Sequence, residues 1–274
     1  MDDTQVTYRC TDLPKEHHIR MLQNNIDTLE KMFSYVVKIH NTKRCVGTRE
    51  ILSEEDEVQS NGRVFKKYRM GEYKWLSFFE AEMQSRNFGR GIREIGIQPR
   101  EKVVLFAETR AEWMIAAHGL FKQSCTIVTI YATLGEDGIT HGVNETEVDT
   151  IITSHELLPK LRSMLKTIPL VKRIIFFEDQ LVETDTSGFG DIKVMAYRSI
   201  VQKGIESKFG KLKRKRKFWC DFNVNLFTED VPPSRDDIAI IMYTSGSTGT
   251  PKGVLLSHFN CIATMKGFCD VVSE

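Results

Sequence analysis

From residue 102 onward the chain alternates at short, regular intervals between segments that suit a buried strand and segments that suit a helix. Val103–Ala107, Ile127–Tyr131, Asp149–Thr153 and Arg173–Phe177 are short runs rich in β-branched and aromatic residues. Between them lie three helical stretches, Ala111–Phe121, Gly135–Asn144 and Leu157–Lys166. A strand followed by a helix and then another strand has the length a crossover needs, and crossovers make neighbouring strands parallel. Continuous apolar strands, without polar alternation, belong to sheets buried on both faces. The pattern therefore predicts an α/β fold with a mostly parallel, helix-covered sheet.

The flanking regions are read in the same way. Ile26, Leu29, Met32, Phe33 and Val36 recur at helical spacing, which predicts a helix over 26–37. The charged passage Ser53–Lys67 reads as a loop or a hairpin arm, with Asn61-Gly62 as its turn. Tyr73–Ser77 reads as a short strand, with Ser77 placed to cap the next helix and Gly89 and Gly91 near that helix's end. Residues 178–236 break the alternation and close on Pro232-Pro233, a linker stop. Ile238–Tyr243 is a buried strand by composition, and a final helix is expected over Asn260–Val272.

Between those last two elements lies Thr244-Ser245-Gly246-Ser247-Thr248-Gly249-Thr250-Pro251-Lys252-Gly253, the stretch that carries chemistry. Glycines let backbone N–H groups approach an anion, hydroxyls add donors, and Lys252 supplies a mobile positive charge. The bland alternative is a flexible Ser/Gly linker. A buried strand leads directly into this stretch and Pro251-Lys252-Gly253 interrupts it, which favours the phosphate cradle. The P-loop pattern fails on spacing: Pro251 stands five residues after Gly246, where that motif needs glycine, and Gly253 follows the lysine, where it needs Ser or Thr.

The loop, with Tyr243 before it and Val254 after it, resembles the signature of the adenylate-forming (AMP-binding) superfamily. The resemblance implies that Thr244, Ser245, Gly246, Ser247, Thr248, Gly249 and Lys252 contact the β- and γ-phosphates of ATP. It implies that Ser247 helps place Mg²⁺, that Lys252 acts in catalysis, and that Tyr243 packs rather than reacts. Gly47–Glu55, Tyr73-Lys74-Trp75, Glu108–Ala117 and Tyr131–Glu136 are similar to eukaryotic long-chain-fatty-acid–CoA ligases. Ala132 and Gly142-Val143-Asn144-Glu145 are closest to the animal branch that prefers polyunsaturated acids such as arachidonate. The implied substrates are a long-chain fatty acid, ATP and CoA, with Mg²⁺ as cofactor. The implied location is the cytoplasmic face of the endoplasmic reticulum or another intracellular membrane.

Residues 1–50, with their amphipathic stretch Ile26–Val37, are expected to form an N-terminal helical segment. By the resemblance, residues 51–274 form the first part of the family's large N-terminal domain, with an atypical basic insertion at 201–230 and the phosphate loop at 243–254. The family's ribose-binding acid, metal-sharing glutamate, acyl tunnel, CoA site and lid lysine have no matching positions here. These 274 residues alone are thus expected to bind nucleotide weakly, or to act only through partners, and not to form acyl-CoA. Apolar surface beside the last strand is expected to lie open.

Composition excludes several other classes. Thirty-eight Lys and Arg against 37 Asp and Glu leave a formal charge of +1, which argues against a globally basic nucleic-acid binder. Six scattered cysteines without a CxxC pair read as free thiols in a reducing compartment. No segment approaches the ~18 apolar residues of a membrane span, and Met1–Thr4 is polar, unlike a signal peptide. The basic run Lys211–Lys217 reads as a solvated loop, an anionic-lipid contact helped by Phe218-Trp219, or a nuclear-localisation-like patch. His17-His18 reads as a solvated pair. His258, placed by sequence near the phosphate loop, reads as a capping or supporting residue. Arg110 and Trp113 read as a helix terminus and core packing.

Overall fold

A computed structural model describes residues 25–207, 230–244 and 250–272. Its centre is a seven-stranded sheet, assembled from β3 (Lys102–Phe106), β4 (Thr126–Thr129), β5 (Thr150–Ser154), β6 (Arg173–Phe177), β7 (Lys193–Ala196), β8 (Ile238–Thr244) and β9 (Lys252–Ser257). The spatial order is β7-β6-β5-β3-β4-β8-β9. The pairings from β7 through β8 are parallel, and β9 runs antiparallel to β8.

In β3 to β6 the strand residues alternate between two cores, as a pleat with period two requires, and β8 shifts face at an irregularity between Ile238 and Ile240. Val103, Leu105, Ile127, Ile152, Ile175 and Ala239 enter one apolar cluster, with α2 (Phe78–Glu94), α3 (Ala111–Phe121) and α6 (Tyr197–Glu206). Val104, Phe106, Val128, Ile151, Ile174 and Ile241 enter the other, with α4 (Glu136–Glu145) and α5 (Leu158–Met164). The expected mostly parallel sheet with helices on both faces is therefore what the chain forms.

Several boundaries differ from expectation. The first helix, α1, is Leu29–His40, because the Thr28 side chain accepts from Lys31 N and starts the helix there. The charged passage is an arm of a long hairpin, β1 (Arg44–Val58) with β2 (Val64–Ser77), and the expected strand 73–77 is only the end of β2. Ser77 does cap α2, in a reciprocal capping box with Glu80. Gly89 and Gly91 fall near the end of α2, as expected, where α3 and α6 approach so closely that a Cβ would collide with Gly119 O and Ile200 O. The alternation does not end at residue 178, since β7 and α6 add one more strand–helix unit.

The 230–237 connector is anchored by charge. Buried Lys122 pairs with Glu30 at 3.2 Å and Glu82 at 2.9 Å, while Arg86 pairs with Glu82 at 2.7 Å and with Asp230. Beyond the double proline, Thr126 Oγ1 donates to Ile238 O at 2.8 Å, beside the start of β8. His17-His18 and the run 211–217 lie outside the described residues. No helix among the described residues is long and apolar enough to cross a membrane. Cys45, Cys125 and Cys261 are free thiols.

Candidate functional site

In open α/β sheets ligands sit beyond the carboxyl ends of the parallel strands. The segment between β8 and β9 opens at that edge, because β8 is parallel to its neighbour β4. Thr244 is the last residue of β8 and Lys252 the first of β9, and they face each other across the antiparallel ladder. Directly opposed residues project to the same face with Cβ atoms about 5 Å apart. The first hydroxyl and the lysine of the predicted cradle are thus neighbours, both exposed to solvent. Ser245, Gly246, Ser247, Thr248 and Gly249 lie outside the described residues.

Tyr243 points to the opposite face and is buried, with 1% of its surface exposed. Its hydroxyl donates to the Glu145 carboxylate, and burial together with that carboxylate raises the phenol's pKa. Its packing role agrees with expectation. The sequence gives no sign that Glu145 pairs with Tyr243, since 98 residues separate the two partners and no local spacing connects them. Strand β9 was missed too, although Val254-Leu255-Leu256 is an apolar run directly after the lysine-glycine pair. As the edge of the described sheet it leaves Val254 45% and Leu255 61% exposed.

The strand β9 also corrects the placement of His258. Six residues at ~3.3 Å each carry the chain about 20 Å away from the loop before His258 is reached. Ser257 and Asn260 make the reciprocal cap of α7 (His258–Val272). His258 itself is 1% exposed and accepts a hydrogen bond from Leu29 N at Nδ1, 3.3 Å away. Burial lowers its pKa to about 4, which suits a neutral acceptor. Arg110 lies over the Phe177 ring and bonds Glu112, and Trp113 packs against the core, as expected.

Two clefts of about 730 and 710 Å³ lie under the β1–β2 hairpin, with Tyr68, Glu156 and Asp179 lining both. Neither is lined by Thr244 or Lys252. No group of three or more His, Cys, Asp or Glu that would hold a metal occurs among the described residues. Mg²⁺ at phosphate sites takes one or two protein ligands plus phosphate oxygens and water. A hydroxyl beside a lysine fits that mode rather than an all-protein cage.

The profile of the AMP-binding enzyme family matches residues 54–274. The chain is 38% identical over 250 residues to long chain acyl-CoA synthetase 8 of Arabidopsis thaliana, covering 90% of this chain and 32% of the relative. It is 31% identical over 266 residues to long-chain-fatty-acid–CoA ligase 2 of Schizosaccharomyces pombe, covering 92% of this chain and 36% of the relative. The chain thus spans about a third of the length of these curated relatives. Among solved structures, the A domain of carboxylic acid reductase from Segniliparus rugosus, in complex with AMP and a co-purified carboxylic acid, superposes with a TM-score of 0.65. It is 16% identical and covers 90% of this chain and 38% of that one. A long-chain-fatty-acid-CoA ligase from Archaeoglobus fulgidus gives a TM-score of 0.62 at 18% identity, covering 99% of this chain and 43% of that one. At such identities the likeness is one of fold.

Proposed function

Because the chain belongs to the AMP-binding enzyme family, we propose that it is the phosphate-gripping part of a long-chain-fatty-acid–CoA ligase. The proposed reaction has two steps. A fatty-acid carboxylate attacks the α-phosphate of ATP, giving acyl-adenylate and pyrophosphate. The CoA thiol then displaces AMP and gives acyl-CoA. In this reading Thr244, Ser245, Gly246, Ser247, Thr248, Gly249 and Lys252 hold the β- and γ-phosphates, and the Ser247 hydroxyl meets Mg²⁺. The metal, when bound, neutralises phosphate charge; the chain's own part is to position the phosphates and stabilise charge as the bond to the leaving group breaks.

One observation carries this reading. Thr244 and Lys252 meet across the ladder at the carboxyl edge of the parallel sheet, bracketing the hydroxyl- and glycine-rich segment. Similarity to acyl-CoA synthetases over 90% of the chain supports the substrate class. The test is ATP–pyrophosphate exchange in an enzyme of the relatives' length that carries these residues. Lys252→Ala is expected to slow exchange by about a hundredfold, the usual worth of one electrostatic donor. An unchanged rate would sink the assignment.

A second reading concerns residues 1–274 as a polypeptide on their own, apart from any longer protein they belong to. Alone, this chain binds nucleotide weakly and does not turn over. The polyunsaturate preference and the endoplasmic-reticulum location rest on family resemblance. Gly142 and Glu145, two of the residues behind the branch assignment, have packing duties against Tyr243, so acyl preference needs a direct competition assay.

A further inference from the structure

We infer that Tyr243 is a positioning residue that fixes both stems of the phosphate loop, anchored by Glu145 and seated beside Gly142 in a slot kept open by Gly253. The inference deepens the reading above and rests on it for its link to nucleotide.

The Tyr243 ring touches three elements at once. It belongs to β8, its cross-strand partner on β9 is Gly253, and its hydroxyl reaches Glu145 at the end of α4. A Cβ at Gly253 would stand 3.3 Å from the ring's Cζ and 3.0 Å from Ile241 Cγ2. A Cβ at Gly142 would stand 3.4 Å from Cε2 and Cζ, and 3.2 Å from Ile130 Cδ1. Gly253 therefore leaves space that the ring fills, while a Cβ at Gly142 would meet the ring at ordinary contact distance. His141 closes the slot edge-on, its ring centre 6.2 Å away, and its Nε2 lies 3.5 Å from the same Glu145 carboxylate. The next residues outward on the two strands are Thr244 and Lys252. A ring held on both flanks and pinned at its tip resists any slide of one stem against the other. Core packing alone does not need the hydroxyl, and Phe would serve as well.

The experiment uses residues 1–274 with Tyr243→Phe, Glu145→Ala, Glu145→Gln and, as a loop control, Lys252→Ala. Amide hydrogen exchange at 241–244 and 252–255 is measured beside the MgATP dissociation constant. Removing a hydrogen bond to a charged group is expected to speed exchange at both stems about tenfold or more, with β5 and β6 unaffected. MgATP binding should weaken by a similar factor. Glu145→Gln keeps an acceptor and should restore most of both. Tyr243→Phe combined with Glu145→Ala should be no worse than either alone. Exchange within twofold of the parent, or faster equally at β5 and β6, overturns the inference. So does faster exchange with unchanged MgATP binding when Lys252→Ala weakens it. If Lys252→Ala leaves MgATP binding intact, the phosphate reading fails instead, and stem exchange still decides whether Tyr243 positions the stems.

Discussion

Helices α2 and α6 pack backbone to backbone, and replacing Gly204 with Ala should separate them. A Cβ at Gly204 would fall 1.7 Å from Asn87 O, 2.6 Å from Asn87 C and 3.0 Å from Gly91 N. The reciprocal position is as tight, with a Cβ at Gly91 lying 1.9 Å from Ile200 O. Because the obstacle is backbone, the side chain has no rotamer to escape into, and the helices must part by about 1.5 Å to reach an ordinary contact. That would loosen the Phe88–Tyr197 stack, now 5.1 Å between ring centres. Overpacking of this kind costs about 1–3 kcal/mol, with this site near the upper end. Alanine's better helix propensity returns about 1 kcal/mol. A net loss of about 2 kcal/mol lowers Tm by roughly 4–8 °C in a chain of this size. Thermal unfolding followed by circular dichroism reads this directly. Gly135→Ala is the control, since no atom lies within 4 Å of a Cβ there. A Gly204→Ala protein melting within about 1 °C of its parent would refute the close-packing argument.

Three further outcomes are expected. His258 has a folded pKa lowered by burial to about 4 against an ordinary 6.5. Its stabilising contribution is full above about 6.5 and is lost as pH falls towards 4, on the order of 3 kcal/mol. His258→Gln should therefore flatten the fall of the urea midpoint between pH 7 and 4.5, and an unchanged slope would count against the buried neutral imidazole. If Lys211–Lys217 meet anionic lipid, vesicle binding should weaken steeply with salt and vanish when the lysines become glutamines; binding indifferent to both would leave the solvated-loop reading. Residues 1–274 supplied with ATP, Mg²⁺, CoA and a labelled long-chain acid should form no acyl-CoA above a Lys252→Ala control, and steady product would contradict the second reading.

Much of the sheet was legible because β3 and β6 are near-continuous apolar runs and β4 and β5 are rich in Ile, Val and Thr, patterns that suit a sheet buried on both faces. The misses have equally physical causes. Edge strand β7, Lys193-Val194-Met195-Ala196, begins exposed and needs no apolar run, so it hid in a passage that looked irregular. Strand β9 hid behind a loop motif that ends in lysine and glycine. That omission made His258 look near the loop when a whole antiparallel strand intervenes. The proposed phosphate site shows the same division. Thr244 and Lys252 were visible as a motif because their chemistry is local. The role of Glu145 was not legible, because it comes from the packing of α4 against β8, which no spacing along the chain encodes.

The central claim is that the stretch between β8 and β9 grips the outer phosphates of ATP, and comparing ATP with AMP tests it most directly. Equilibrium binding of the two nucleotides is measured, with Mg²⁺, for the parent chain and for Lys252→Ala. If Lys252 faces the β- and γ-phosphates, the parent should prefer ATP by about tenfold or more, the order of one charge-assisted contact. Lys252→Ala should erase most of that preference while leaving AMP affinity unchanged. Equal affinity for ATP and AMP in the parent, or a preference that survives the substitution, would contradict the account.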